Sequence, residues 1–231
     1  MKRFWKDAAA VPAEAGFAIE LDGRRVRTPA RAELIVPTER LAGAIAREWG
    51  DCGESVDPRA MPLTGLANAA IDRIAPDPGS FAAGLAKYAE SDLTCYRAEG
   101  PDALVRRQAE SWDALLDWAR RRYDVDFKCV AGVMHVPQPK ATIARLAHAV
   151  AVLDPFRLAG LSPIVTVGGS LIAALAVLEE ALPAEEAWDA VSLDDQWQAE
   201  QWGADAEAQA ALDARRRDFL AGARFLDLLD A

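Results

Sequence analysis

The chain has 231 residues, 52% of them hydrophobic and 27% charged, which is enough apolar material for one large or two small cores and excludes a globally disordered protein. A net charge of -10 and a pI near 4.8 repel phosphate backbones, so no nucleic-acid partner is expected and a basic or mixed protein surface is favoured. Cys52, Cys95 and Cys129 are odd in number, far apart and outside any C-x-x-C, so reduced thiols in a cytosol-like compartment are expected, not stable disulfides or zinc.

The first seven residues are basic without a following apolar run, so no secretory signal is read. With no Arg/Ser-rich transit segment either, a bacterial cytoplasm is the expected location. Residues 16–38 read as β structure. Phe17, Ile19 and Leu21 alternate with Ala18 and Glu20, and Asp22-Gly23 is a hairpin turn. Residues 24–28 return, 29–31 turn again, and 34–36 form a third strand stopped by Pro37. Thr38 then caps a helix over 39–49, with Leu41, Ala42, Ile45 and Trp49 on one face.

After a loop at 50–58 the pattern turns helical. Helices are predicted at 63–74, 81–90 and 102–123, the last with Leu104, Gln108, Trp112, Leu115 and Ala119 in register. Residues 124–139 are extended, with a short strand in 130–136. Helices follow at 140–153, in part of 155–167, and at 170–182, 184–202 and 205–229. The fold class is α+β: a β-rich N-terminal domain, residues 1–60, and a larger all-helical C-terminal domain, residues 61–231, with the boundary between 50 and 80.

No Lys, Arg or His occurs between Arg157 and Arg215. The first part, 158–178, is also free of acids and is long enough to span a bilayer. Pro163 and Gly168-Gly169 would break it, aromatic belts are missing, and a buried soluble element is the reading preferred over stable membrane insertion. The second part, 179–213, carries eleven carboxylates around Trp188, Trp197 and Trp202. These three do not share one helical stripe, so at least one should reach the surface. Core packing and an interface role both stay open for the group.

Other chemistry is weakly signalled. Gly168-Gly169-Ser170 lacks the lysine and the spacing of a phosphate loop and reads as a helix break with Ser170 as N-cap. His135 and His148 stand apart, and Cys129 with His135 has no diagnostic spacing for a nucleophile. Asp194, Asp195, Glu200, Asp205 and Glu207 could offer divalent-ion ligands, but no ligand loop is present and a solvated acidic face is the plainer account. No catalytic, cofactor or metal residue is assigned, and no cofactor is expected.

Several segments, taken in order, resemble one family. They are Phe4-Trp5-Lys6, the run from Gly16-Phe17 through Asp22-Gly23-Arg24 to Thr28-Pro29, Leu34-x-Val36-Pro37-Thr38, Glu48-Trp49 and Met61-Pro62-Leu63-Thr64. Ser91-Asp92-Leu93-x-Cys95-Tyr96-Arg97, Thr166-Val167-Gly168-Gly169-Ser170 and Gln198-Ala199-Glu200-x-Trp202-Gly203 continue the series. Together they are similar to the assembly chaperones of the F1 ATP synthase alpha subunit. That resemblance implies a non-enzymatic protein with a β-rich N-terminal and a helical C-terminal domain. It would bind the unassembled alpha subunit and shield its beta-pairing surface until F1 forms. It also marks Glu200 as functionally important, and Glu48 and Trp49 as characteristic residues whose role could be structural. On physical grounds Asp195 joins Glu200 as a client-binding candidate that could meet Arg or Lys, with Trp197 or Trp202 supplying apolar contact. The rival reading is a metal-dependent enzyme with an acidic helical site.

Overall fold

An antiparallel sheet begins the chain in the computed structural model, which describes residues 2–203 and 205–230. Strand β1 (Ala8–Ala13) pairs with β2 (Gly16–Leu21) in a register running from Ala8 opposite Leu21 to Ala13 opposite Gly16. Strand β3 (Arg24–Arg25) returns through the Asp22-Gly23 turn, where both residues have positive φ, as a two-residue hairpin requires. Strand β4 (Ile35–Val36) also pairs with β2. Sequence periodicity does not reveal β1. Its AAAVPA segment has no apolar alternation and contains Pro12, which a sheet tolerates at an edge.

Helix α1 (Glu39–Gly50) starts where expected: the Thr38 hydroxyl accepts from Leu41 N at 3.2 Å. It buries Leu41, Ala42, Ile45 and Trp49 and packs on β1 and β2. Helix α2 (Pro62–Ala69) runs on into a π-helical turn, Ala70–Ile74, so the helix read over 63–74 persists with a wider last turn.

The remaining α-helices are α3 (Pro78–Ala86), α4 (Asp102–Tyr123), α5 (Lys140–Ala151), α6 (Pro155–Gly168), α7 (Leu171–Leu178), α8 (Ala184–Val191), α9 (Leu193–Trp202) and α10 (Ala206–Asp227), with short 3-10 turns at Pro58–Ala60, Lys87–Glu90 and Leu93–Cys95. Two short strands, β5 (Tyr96–Arg97) and β6 (Val130–Ala131), pair in parallel. The strand expected within 130–136 is thus two residues long, because Gly132 at φ 85° turns the chain away.

Two expectations need correcting. Pro163 does not break its helix: α6 continues through it to Gly168. An interior proline costs about 3 kcal/mol, and complete burial of Leu158, Leu161, Ile164 and Val165 offsets that. The helix read over 184–202 is instead two, parted at Ser192, whose hydroxyl donates back to Trp188 O at 2.7 Å. The Gly168-Gly169 break behaves as expected. Gly169 has φ 68°, and Ser170 caps α7 through Ala173 N at 3.0 Å. No helix among the described residues is long and apolar enough to cross a membrane.

The chain divides into two compact units. One comprises Met1–Pro78 with Asp154–Gly160 and Arg224–Ala231; the other comprises Gly79–Leu153 and Leu161–Ala223. In the first, Gly160 lies against Phe225 and Leu226, where a Cβ would come within 2.8 Å of Leu226 Cδ2. In the second, α7 is buried on all sides from Leu171 to Ala176 and packs on α4 and α8.

Candidate functional site

Most of the motif residues have structural duties inside their own unit. Trp5 is buried, donates its indole N–H to Trp49 O at 3.1 Å, and meets the Trp49 ring edge-on at 5.2 Å. Arg3 donates to Gly50 O at 3.0 Å and Cys52 O at 2.5 Å, closing the C-terminal end of α1. Thr28 donates its hydroxyl to Asp72 Oδ1 at 2.7 Å, and Ala30 N donates to Oδ2 at 2.9 Å, tying the β turn to the π-helical turn.

Glu48 belongs to this group. Its carboxylate accepts from Leu63 N and Thr64 N, both at 2.8 Å, and from the Thr64 hydroxyl at 2.7 Å. Helix α2 begins at Pro62 without a side-chain cap of its own, so Glu48 supplies the anion that its first N–H groups need. Trp49 is a packing residue beside Trp5.

In the other unit, two motifs lock together around Asp92, which is 1% exposed. Its Oδ1 accepts from Thr94 N, the Thr94 hydroxyl and the Ser170 hydroxyl, and its Oδ2 accepts from Ile172 N at 3.0 Å. Burial pushes the Asp92 carboxyl above its usual range, against the downward pull of those donors. Leu93 N donates to Gly169 O at 3.1 Å, and a Cβ on Gly168 would press on Phe219 at 3.1 Å. These contacts give Ile172 N and Ala173 N at the α7 N-terminus their acceptors in Asp92 and Ser170.

The segment Gln198-Ala199-Glu200-x-Trp202-Gly203, at the C-terminal end of α9, differs. Trp202 is 79% exposed, against buried Trp188 and half-buried Trp197. Trp188 meets Phe219 at 5.5 Å between centroids, with the Arg215 guanidinium over its ring at 5.9 Å. Glu200 is exposed and accepts from Arg107 Nη1 at 2.9 and 2.7 Å. Asp195 accepts from Arg215 at 2.8 Å, and Asp194 from the Gln108 amide at 2.8 Å. A cleft of about 400 Å³ runs beside this end of α9, lined by Asp195, Gln198, Trp202, Gln209, Leu212 and Arg215. Gly203 closes the helix at φ 85°.

The candidate client residues therefore sit on one helix, but its acids are not bare. Arginines distant in sequence occupy two of them, and Arg107 lies 93 residues from Glu200. No local pattern signals that pairing. The possible divalent-ion ligands also diverge. Asp194, Asp195 and Glu200 face separate partners, and Asp205 accepts from Ala208 N at 3.2 Å. Among the described residues, no three His, Cys, Asp or Glu side chains come together to hold a metal ion. His135 and His148 are exposed, and His135 Nδ1 lies 3.2 Å from the Tyr96 hydroxyl.

Known proteins similar to this chain in sequence and fold are consistent with the motif reading. The family model described as ATP12 chaperone protein matches residues 2–120. Protein atp12, mitochondrial, of Schizosaccharomyces pombe is 27% identical over 214 residues, which cover 87% of this chain and 74% of that protein. The crystal structure of Atp12 from Paracoccus denitrificans superposes with a TM-score of 0.93 at 43% identity, covering 99% of this chain and 98% of that one. A chaperone candidate from Agrobacterium tumefaciens gives 0.94 at 42% identity, covering 99% and 86%. The chain belongs to the ATP12 chaperone family, whose role is F1 ATP synthase assembly.

Proposed function

We propose that this protein binds the unassembled alpha subunit of F1 ATP synthase and covers its beta-pairing surface until the beta subunit arrives. It does so in the bacterial cytoplasm, without a cofactor and without catalysing a reaction. An unassembled subunit exposes an apolar interface that drives aggregation, and a protein that binds that state competes with self-association by mass action alone. The client contact is the end of α9, with Trp202 and Glu200 foremost and Asp195 and Trp197 beside them.

One observation carries the assignment. Among the large apolar residues of the motif segments, Trp202 is the most exposed, at 79% against 66% for Phe4, which packs edge-on against Trp5; the others are buried or half-buried. The surroundings of Trp202 supply the rest of an interface: a cleft for a client side chain and an acidic rim that steers cationic groups.

Co-expression of this chain with the alpha subunit tests the proposal, reading soluble alpha subunit and its co-purification. Trp202→Ala should lower capture about 10–100-fold, as loss of an exposed aromatic anchor does. Its melting temperature should stay within the scatter of surface substitutions. Glu200→Lys should also weaken capture at nearly unchanged stability, since the exposed ion pair with Arg107 is worth about 0–1 kcal/mol. Wild-type protein that neither solubilises nor retains alpha subunit would sink the client assignment. Full capture by both variants would move the contact elsewhere on the molecule.

A further inference from the structure

The parallel pair β5 and β6 sets Tyr96 opposite Val130 and Arg97 opposite Ala131. Immediately before these pairs stand Cys95, the last residue of a 3-10 turn, and Cys129, the residue that leads into β6. The adjoining pair, Tyr96 and Val130, holds the two segments at about the 4.7–4.9 Å of neighbouring strands, and a disulfide spans Cα separations of about 4.4–6.8 Å. Burial pushes the Cys95 thiol up, and the Asp92 charge and the nearby Cys129 thiol act in the same direction.

Both residues are thiols here, and they differ in access. Cys129 is exposed and can meet a solute, whereas Cys95 is buried and can be reached only from beside it. The pair also holds a strategic position. Cys129 opens a loop whose base is closed by the Gln138 side-chain amide, bonded to both Lys128 N and Lys128 O at 2.9 Å. At the tip of that loop Val133 and Met134 are 94% and 78% exposed.

We propose that Cys95 and Cys129 are a reversible dithiol–disulfide site, oxidised by peroxide and reset by small-molecule thiols. In the first step the Cys129 sulfur attacks a peroxide oxygen. The O–O bond breaks, leaving a sulfenic acid on Cys129 and releasing water. The Cys95 sulfur then attacks the Cys129 sulfur and displaces hydroxide, which leaves as water with the Cys95 proton. Two thiols are oxidised by two electrons, and one hydrogen peroxide becomes two waters. Two molecules of a thiol such as glutathione reverse the change by exchange, becoming a disulfide themselves. The cross-link anchors the exposed loop to β5. Cysteines so far apart in sequence are brought together by strand pairing alone, and a transient disulfide of this kind suits a reducing compartment.

The test uses the full chain, reduced, freed of reductant and treated with hydrogen peroxide under native conditions. Titratable thiols should fall from three to one. A non-reducing tryptic digest should contain peptide 88–97 joined to peptide 129–140, lighter than their sum by two hydrogens, and glutathione should separate them. Cys129→Ser, an exposed substitution, should keep Cys95 titratable after peroxide treatment. Cys95→Ser should leave Cys129 as a sulfenic acid that dimedone traps. The proposal is overturned if wild-type peptides 88–97 and 129–140 remain unlinked while Cys129 passes to sulfinic acid, joins Cys52, or joins a second chain. The wild-type digest decides this even if Cys95→Ser fails to fold. None of these readouts involves the alpha subunit.

Discussion

Replacing Glu48 by glutamine keeps the side chain's size and removes one acceptor. The carboxylate now accepts three hydrogen bonds at the start of α2: one from Leu63 N on Oε1, and two, from Thr64 N and its hydroxyl, on Oε2. In the cheaper orientation the new NH2 group takes the Oε1 position and faces the Leu63 N–H, donor against donor. Losing that charge-assisted bond costs about 1.5–3 kcal/mol. Losing the negative charge from the helix N-terminus costs about 0.3–1 kcal/mol more. Because Glu48 is only half-buried, the sum should fall at the low end, about 2–3 kcal/mol. At about 2–4 °C per kcal/mol for a chain of this size, the midpoint should drop by about 5–10 °C. Scanning calorimetry measures this, and amide exchange at Leu63 and Thr64 locates it, which matters because two compact units need not melt together. Client capture per folded molecule should stay at the wild-type level. A variant that melts within about 1 °C of wild type, or one that keeps its stability but loses capture, would refute the capping role.

Asp92→Asn should destabilise by about 2–3 kcal/mol at neutral pH, read from urea midpoints, because its amide nitrogen must face the Ile172 N–H in a buried site. The carboxyl is raised by burial, so its contribution is full below the unfolded value of about 3.9 and is lost as pH rises through the higher folded value. Wild-type protein should therefore gain stability relative to Asp92→Asn as pH falls from neutral toward that range. An identical pH dependence in both would contradict this. Gly16→Ala should lower yield or melting temperature sharply, since its Cβ would lie 2.3 Å from Val36 O at a φ of 134°. Arg107→Ala should leave stability within about 1 kcal/mol and leave client capture equal or stronger, because it frees the Glu200 carboxylate; capture lost in step with Glu200→Lys would mean that the pair, not the acid, makes the contact.

Much of the helical architecture was legible from local rules. Asp102–Tyr123 could be read from its apolar register, Thr38 and Ser170 from their capping chemistry, and the Asp22-Gly23 hairpin from the need for positive φ. Such rules act within about one helical turn or one hairpin, which is why they succeed on a single chain without partners. Pro163 shows where they end. Its local cost is real, but the burial of Leu158, Leu161, Ile164 and Val165 outweighs it.

The sequence by itself determined an α+β protein and, through its ordered motifs, the family. It could not separate motif residues that build the fold from those left free to act. Glu48 and Glu200 are both acids beside or near tryptophans near a helix end, and they read alike in one dimension. Tertiary structure parts them: Glu48 is spent on the N-terminus of α2, whereas Glu200 is exposed, pairs with half-buried Arg107 and lies near exposed Trp202. Edge strand β1, the grouping of residues 154–160 and 224–231 with the N-terminal unit, and the pairing of β5 with β6 that brings Cys95 near Cys129 were likewise decided in three dimensions. The physical reason is common to all of them. Each rests on partners tens of residues away or on a strand edge, and a chain's local preferences carry no record of what folding will bring beside them.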